Sequence, residues 1–259
     1  MKKLTTAALT LLWVCASFAA SADFSQCRQL FANRAVPTSN SQAMAPRALC
    51  YSSFAILYSG RSRTPIYVAQ RLNKAQLQTK IARSNRFFAD ARLPRAERAE
   101  LEDYKNSGLD RGHMAPAGDM GTEESMAQSF SLANMVPQSV VGNRHAWAAI
   151  EKATRKYVMR AAGDVFVITG PVFEANPRTI GANRVWVPQH LFKLVYDPAT
   201  GRAWAHWLDN RDEARAGKPI SYAELVRRTG MEFLPSSSIS ACDSTSSTDC
   251  WSRWAASSL

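Results

Sequence analysis

The sequence predicts an α+β fold built on an antiparallel sheet. Strand-like and helix-like segments intermix without regular βα alternation, which argues against a doubly wound parallel sheet. Pairs of apolar runs are joined by short turn-rich links, the pattern of hairpins. With 259 residues, 46% of them hydrophobic, the chain holds enough apolar mass for one substantial core and is marginal for two. A single domain with extensions follows.

The elements can be taken in order. Met1-Lys2-Lys3, an apolar run from Leu4 to Ala20 and the small-residue site Ala20-Ser21-Ala22 read as a signal peptide over 1–22, cleaved after Ala22. The run is short for a retained membrane anchor, and Val14 before Cys15 argues against a lipoprotein. Residues 23–50 are polar with scattered Pro and Ser, and read as an N-terminal extension of loop character tied down by cysteine.

The domain proper is expected over 51–235. Phe54 to Tyr58 and Pro65 to Ala69 flank Gly60-Arg61-Ser62-Arg63 as a β-hairpin. Residues 93–105 look helical and end at Asn106-Ser107-Gly108. Thr122 is an N-cap for a short helix reaching about Phe130. From Asn143 to about Ala161, Trp147, Ile150, Thr154 and Val158 recur at helical intervals, and Gly163 stops the run. Strands follow at Val165 to Thr169, Val185 to Tyr196 and Arg202 to Leu208, the last two joined by the turn Asp197-Pro198-Ala199-Thr200-Gly201. Residues 236–259 form a Ser-rich, loosely ordered tail.

Charge narrows the partners. The full chain carries +11, and loss of Lys2 and Lys3 with the leader leaves about +9, from 30 basic and 21 acidic residues. Such a surface attracts a polyanion: nucleic acid, an anionic membrane or an acidic polysaccharide. Between Arg61 and Arg98 stand ten Lys or Arg against only Asp90 and Glu97, either a solvated basic face or a phosphate-binding surface.

After leader removal four cysteines remain: Cys27, Cys50, Cys242 and Cys250. An even count in an exported chain suggests two disulfides. Three pairings are open, and clustering favours Cys27 with Cys50 and Cys242 with Cys250. No CxxC pair supports the competing zinc reading.

Two clusters carry chemistry. Asp110-Arg111-Gly112-His113-Met114-Ala115-Pro116 sets an Arg and a His two apart, beside a Gly that allows close backbone approach. Alone, a single His is more often structural than catalytic. Asn134-Met135-Val136-Pro137-Gln138 precedes Asn143, Trp147, Glu151 and Arg155, which recur every fourth residue. At about 100° per residue, each such step advances about 40°, so these side chains form one stripe on a helix. The bland alternative makes Glu151 and Arg155 a surface ion pair, Asn143 a helix N-cap and Trp147 a core residue.

Together the clusters resemble the DNA/RNA non-specific endonuclease family, the ββα-metal or His-Me finger nucleases that include endonuclease G. The DRGH sequence at 110–113, the NxxPQ element at 134–138 and the N-x3-W-x3-E-x3-R helix from Asn143 to Arg155 match it in order and separation. Likeness runs from about Tyr51 to Trp207 and takes in the Pro65-to-Leu72 strand, Arg83-Ser84 before Phe87, and Val187 to Lys193.

The resemblance implies a ββα-metal fold, a central antiparallel sheet flanked by helices. It implies an Mg2+-dependent endonuclease, with Mn2+ a possible substitute, that cuts DNA and RNA through their phosphate backbone and leaves 5′-phosphate ends. His113 is implied as general base, Asn143 as the direct metal ligand and Glu151 as a ligand through water. Arg111, Arg155 and Arg83 would neutralise phosphate, with Arg86 close enough to compete for the last role. Asn134 matches a family position near the site without an assigned step.

His145, His190 and His206 read as structural or surface residues, because none shows zinc-ligand spacing. The expected setting is periplasmic or secreted, without membrane contact after cleavage, and a homodimer and an inhibitor protein are open as partners. The rival readings are a catalytically weak nucleic-acid-binding protein, a nuclease restricted to one sugar, and an envelope binder of acidic polymers.

Overall fold

The computed structural model of the protein describes residues 23–38 and 42–235. The signal peptide, Cys242, Cys250 and the Ser-rich tail lie outside the described residues.

The frame is a seven-stranded sheet in the order β1-β2-β3-β6-β9-β10-β11, with every neighbouring pair antiparallel. Its strands are β1 (Pro46–Cys50), β2 (Phe54–Ser59), β3 (Thr64–Leu72), β6 (Val165–Val172), β9 (His190–Asp197), β10 (Arg202–Asp209) and β11 (Ile220–Ser221). Two small pairs stand apart from it: β4 (Asp110–His113) with β5 (Met135–Gln138), and β7 (Thr179–Ile180) with β8 (Val185–Trp186).

Alternation along the strands gives the sheet two buried faces. Phe54, Ile56 and Val68 join Met114, Trp147, Ile150, Leu191 and Leu208 on one face. Ala55, Leu57 and Tyr67 join Phe24, Phe31, Phe192, Tyr222, Leu225 and Phe233 on the other. The second face is closed by short 3-10 turns within 25–34 and by helix α6 (Tyr222–Thr229), which Ser221 caps and Gly230 ends in a left-handed conformation.

The first face carries the β4–β5 ribbon and the chain that follows it. Ser139 caps a short α4 (Val140–Gly142), a π-helical turn spans Asn143–Trp147, and α5 runs Ala148–Val158. Two strands and a helix thus form the ββα unit. Asn210 ties its corner to the sheet, accepting from Ser139 N at 2.8 Å and donating to the carbonyls of Pro137 at 3.0 Å and Pro188 at 2.9 Å. Among the described residues three further short helices stand: α1 (Lys74–Gln78), α2 (Leu101–Tyr104) and α3 (Glu123–Ser129).

The hairpin around Gly60 to Arg63, the Thr122 cap and the Asp197-to-Gly201 turn form as expected. The Cys27–Cys50 disulfide is present. Other expectations need correction. Residues 46–50, expected in a loop region, form edge strand β1 with the register Pro46↔Ser59 to Cys50↔Ala55. The 93–105 helix is replaced by a 3-10 turn at Arg95–Glu97 and the short α2, because extended Arg98 and Glu100 interrupt it while Ala99 is buried. The 185–196 strand divides into β8 and β9 around Pro188, which has no N–H to extend a ladder.

Candidate active site

A cavity of about 460 Å3 opens where the β4–β5 ribbon meets α5. Arg83, Phe87, Asp110, Arg111, His113, Asn143, Arg144, Glu151 and Arg155 are among its walls. The structure therefore brings six of the seven expected site residues together. The exception is Asn134, which is fully buried. Its Oδ1 accepts from Ala115 N at 2.9 Å, and its Nδ2 donates to the carbonyls of Ala115 and Ser129, each at 2.9 Å. With both ends of the amide occupied, Asn134 clamps the chain leaving His113 and does not face the cavity.

β4 places Arg111 and His113 two residues apart on one side of the ribbon. Gly112 between them lies against Gln138, and a Cβ there would overlap the Gln138 side chain at its Cβ and Oε1, so only glycine lets the ribbon close. Phe130 meets the His113 ring edge to face at 5.0 Å, and Phe87 lies 5.9 Å away. These rings desolvate the imidazole. Burial first, and the Arg83 charge second, pull its pKa down to about 3. His113 is therefore a neutral proton acceptor at ordinary pH. Its Nε2 is buried without a partner, which leaves Nδ1 as the nitrogen for chemistry in the cavity.

The same two aromatic rings carry cations on their outer faces. The Arg111 guanidinium lies 4.1 Å from the centre of Phe87, and that of Arg83 lies 5.0 Å from Phe130. Arg83 lines the cavity and Arg86 does not, which separates two residues that the sequence left in competition. Phe88 docks the segment, its backbone bonding to Phe130 O at 3.3 Å and Leu132 N at 2.8 Å.

Asn143 follows α4 as its C-cap and begins the π turn, and so is not a helix N-cap. Its Nδ2 donates to Asp110 Oδ2 at 3.0 Å, and Arg144 grips both oxygens of the same carboxylate at 2.9 Å. This arrangement orients the Asn143 amide with its carbonyl oxygen left over. Glu151 stands two turns farther along, and among the described residues no hydrogen bond or ion pair to its carboxylate is made. Burial pushes its pKa up to about 7 against the pull of Lys193. Arg155 pairs with buried Asp119 at 2.9 Å, so the Glu151–Arg155 surface pair is not formed. Trp147 points into the core as the bland alternative had it.

An amide oxygen and an unpartnered carboxylate facing one polar cavity form a sparse set of hard donors. Such a set suits a cation that keeps most of its water, as Mg2+ does, and suits a thiolate- or imidazole-seeking metal poorly. Several contributors escaped the sequence reading: Asp110 and Asp119 as orienting carboxylates, Phe87 and Phe130 as walls, and Lys193. Lys193 is 1% exposed inside an apolar strand, donates to Thr169 Oγ1 at 2.7 Å and lies 5.4 Å from the Trp147 ring. A lysine in so apolar a run was the available signal.

The pattern of the family described as DNA/RNA non-specific endonuclease matches residues 32–238. The chain belongs to that family. It is 34% identical over 213 residues to the mitochondrial nuclease EXOG of Danio rerio, covering 71% of this chain and 60% of that one. With the mitochondrial endonuclease G of Bos taurus it shares 34% over 207 residues, 71% of this chain and 68% of the relative. Nuclease C1 of Cunninghamella echinulata var. echinulata is 36% identical over 168 residues, 60% of this chain and 66% of that one. The chain thus spans 60–66% of the length of these EXOG and C1 relatives. Among solved structures, endonuclease G in complex with its inhibitor superposes with a TM-score of 0.65 at 27% identity, covering 72% of this chain and 84% of that one. The α+β architecture is accordingly the ββα-metal nuclease fold, with β4, β5 and α5 as its signature unit.

Proposed function

We propose that the protein is an exported, Mg2+-dependent endonuclease that hydrolyses phosphodiester bonds of DNA and RNA with little regard for sequence. The observation that carries this reading is one cavity uniting a neutral, desolvated His113, the oriented Asn143 amide, the unpartnered Glu151 carboxylate and the guanidinium groups of Arg83, Arg111 and Arg155.

Phosphodiester hydrolysis needs a base for water on one side of phosphorus and charge stabilisation on the other. His113 takes the proton from the attacking water at Nδ1. Asn143 would hold Mg2+, or Mn2+ in its place, through Oδ1, and Glu151 would support that ion through water. The cation, when bound, supplies charge to the phosphate and to the leaving 3′ oxygen. Arg111, Arg155 and Arg83 grip the phosphate oxygens, a task suited to planar guanidinium groups. All these contacts address backbone rather than base, which supports action on both sugars.

The leader at 1–22 supports a periplasmic or secreted setting, where the activity is kept from the cell's own genome. A homodimer belongs to the same reading. So does an inhibitor protein, given the inhibitor complex of the related endonuclease G. The test is digestion of supercoiled plasmid and ribosomal RNA by residues 23–259, with Mg2+ and with chelator. Cleavage of both that stops with chelator is expected; binding without cleavage across several divalent metals would sink the proposal.

A further inference from the structure

A second cavity of about 390 Å3 adjoins the first and shares two of its walls, Asp110 and Arg111. Its other walls are Leu101, Glu102, Tyr104, Lys105 and Leu109. The site described above makes no use of this cavity.

Three features of this cavity lack a structural explanation. Leu101 is a large apolar side chain left 41% exposed. Tyr104 is buried, yet its hydroxyl has no hydrogen-bond partner. The Lys105 side chain is 68% exposed and, among the described residues, its ammonium pairs only with Glu102, itself 81% exposed, at 3.7 Å, a pair that stabilises little. The wall is nonetheless firmly set. Asp103, 2% exposed, accepts from Asn183 N at 3.0 Å and Asn183 Nδ2 at 2.8 Å, and it closes the N-terminus of α2 through Glu100 N. The β7–β8 hairpin therefore holds α2 so that Leu101 and Lys105 stay outward.

We propose that this cavity seats the nucleotide next to the scissile phosphodiester, so that the substrate is held as a polynucleotide chain and not as an isolated diester. The inference rests on the function proposed above. A chain whose reacting phosphate lies against Arg111 in the first cavity must continue past that side chain. The shared wall makes the second cavity its continuation. Lys105 supplies charge for the next phosphate, and Leu101 and Leu109 supply apolar surface for sugar and base. None of these groups reads a particular base edge, in keeping with contact to the backbone.

The experiment follows KM against salt for a single-stranded oligonucleotide, using the wild type, Lys105→Ala and Leu101→Ser. Hydrolysis of bis(p-nitrophenyl) phosphate, which presents one phosphodiester, is followed in parallel. Both substituted residues are on the surface, and melting temperatures check that the variants fold. Loss of one phosphate contact should reduce the steepness of log KM against log salt in Lys105→Ala by about 0.7. Both variants should lose more kcat/KM on the oligonucleotide than on the small diester. An unchanged salt slope, or equal losses on the two substrates, overturns the subsite. A wild type that cuts neither substrate removes the proposed function and the subsite with it; a wild type that cuts while the slope stays unchanged removes the subsite alone.

Discussion

Asp110 governs the site without touching its expected base. One carboxylate oxygen receives the Asn143 amide and both receive Arg144, so the carboxylate decides which end of the amide faces the cavity. Asp110→Ala should weaken metal-dependent activity about 10–100-fold, as loss of an orienting partner does, with a raised Mg2+ concentration for half-maximal rate. Unaltered metal dependence would show that Asn143 needs no such support. The pH profile is set by residues too. His113, held down to about 3, stays neutral through the working range, whereas Glu151, pushed up to about 7, does not. On the proposed reading Glu151 would support the cation through water only when ionised, so kcat/KM should fall as pH drops through about 7 at low Mg2+. Rising Mg2+ favours the ionised form and should move that limb to lower pH. Lys193 pulls the same carboxyl down, so Lys193→Met should move the limb to higher pH. A limb that ignores both changes belongs to another group. For stability the direction is the opposite: a folded carboxyl raised above its usual 4.5 costs stability as pH climbs from that value towards 7, and the cost then levels off.

At the scale of elements, the ribbon and helix depend on close packing that tolerates little change. Gly112→Ala would drive a methyl into Gln138 and should separate β4 from β5, lowering the melting temperature and activity together. Activity retained at an unchanged melting temperature would mean the ribbon can yield. Asn134→Ala leaves two carbonyls and one N–H without their partner, each unsatisfied group costing about 1–3 kcal/mol, and should act likewise through stability. Elements with local signals were legible in the sequence: the Gly60 hairpin, the Thr122 cap, the β9–β10 turn, and α5 from its apolar recurrence. What was missed depends on distant partners. β1 is a strand because β2 offers an edge, and the 93–105 segment gives up helix to bury Ala99 and Asp103 against other elements. The π turn at Asn143–Trp147 has no sequence signature, yet it sits where the expected metal ligand lies. Residues that act through another side chain, such as Asp110, Asp119 and Lys193, were invisible for the same reason.

Across the whole molecule, the basic stretch from Arg61 to Arg98 resolves into separate roles. Arg71 pairs with Asp164 at 3.6 Å, Arg92 with Asp90 at 2.6 Å and Arg98 with Glu100 at 2.8 Å, while Arg83 faces the cavity. Much of that charge braces the fold, so the excess reaching substrate is smaller than the count suggests. Activity should still weaken with salt, because each neutralised phosphate contributes about −0.9 to the slope of log affinity against log salt on duplex DNA. The disulfide ties the 3-10 turns of the second core to β1, and reduction should lower the melting temperature, since such a bond commonly contributes about 2–4 kcal/mol. An unchanged melting temperature, with reduction confirmed by mass, would contradict that. The central claim is that one cavity divides the work between His113, which moves the proton, and Asn143, which holds the metal. It is tested most directly by comparing kcat and half-saturating Mg2+ for the wild type, His113→Ala and Asn143→Ala on the same plasmid. His113→Ala should lose about 10²–10⁴-fold in kcat with its metal dependence unchanged, and Asn143→Ala should lose its response to metal. A His113→Ala protein that cuts as fast as the wild type would contradict the account.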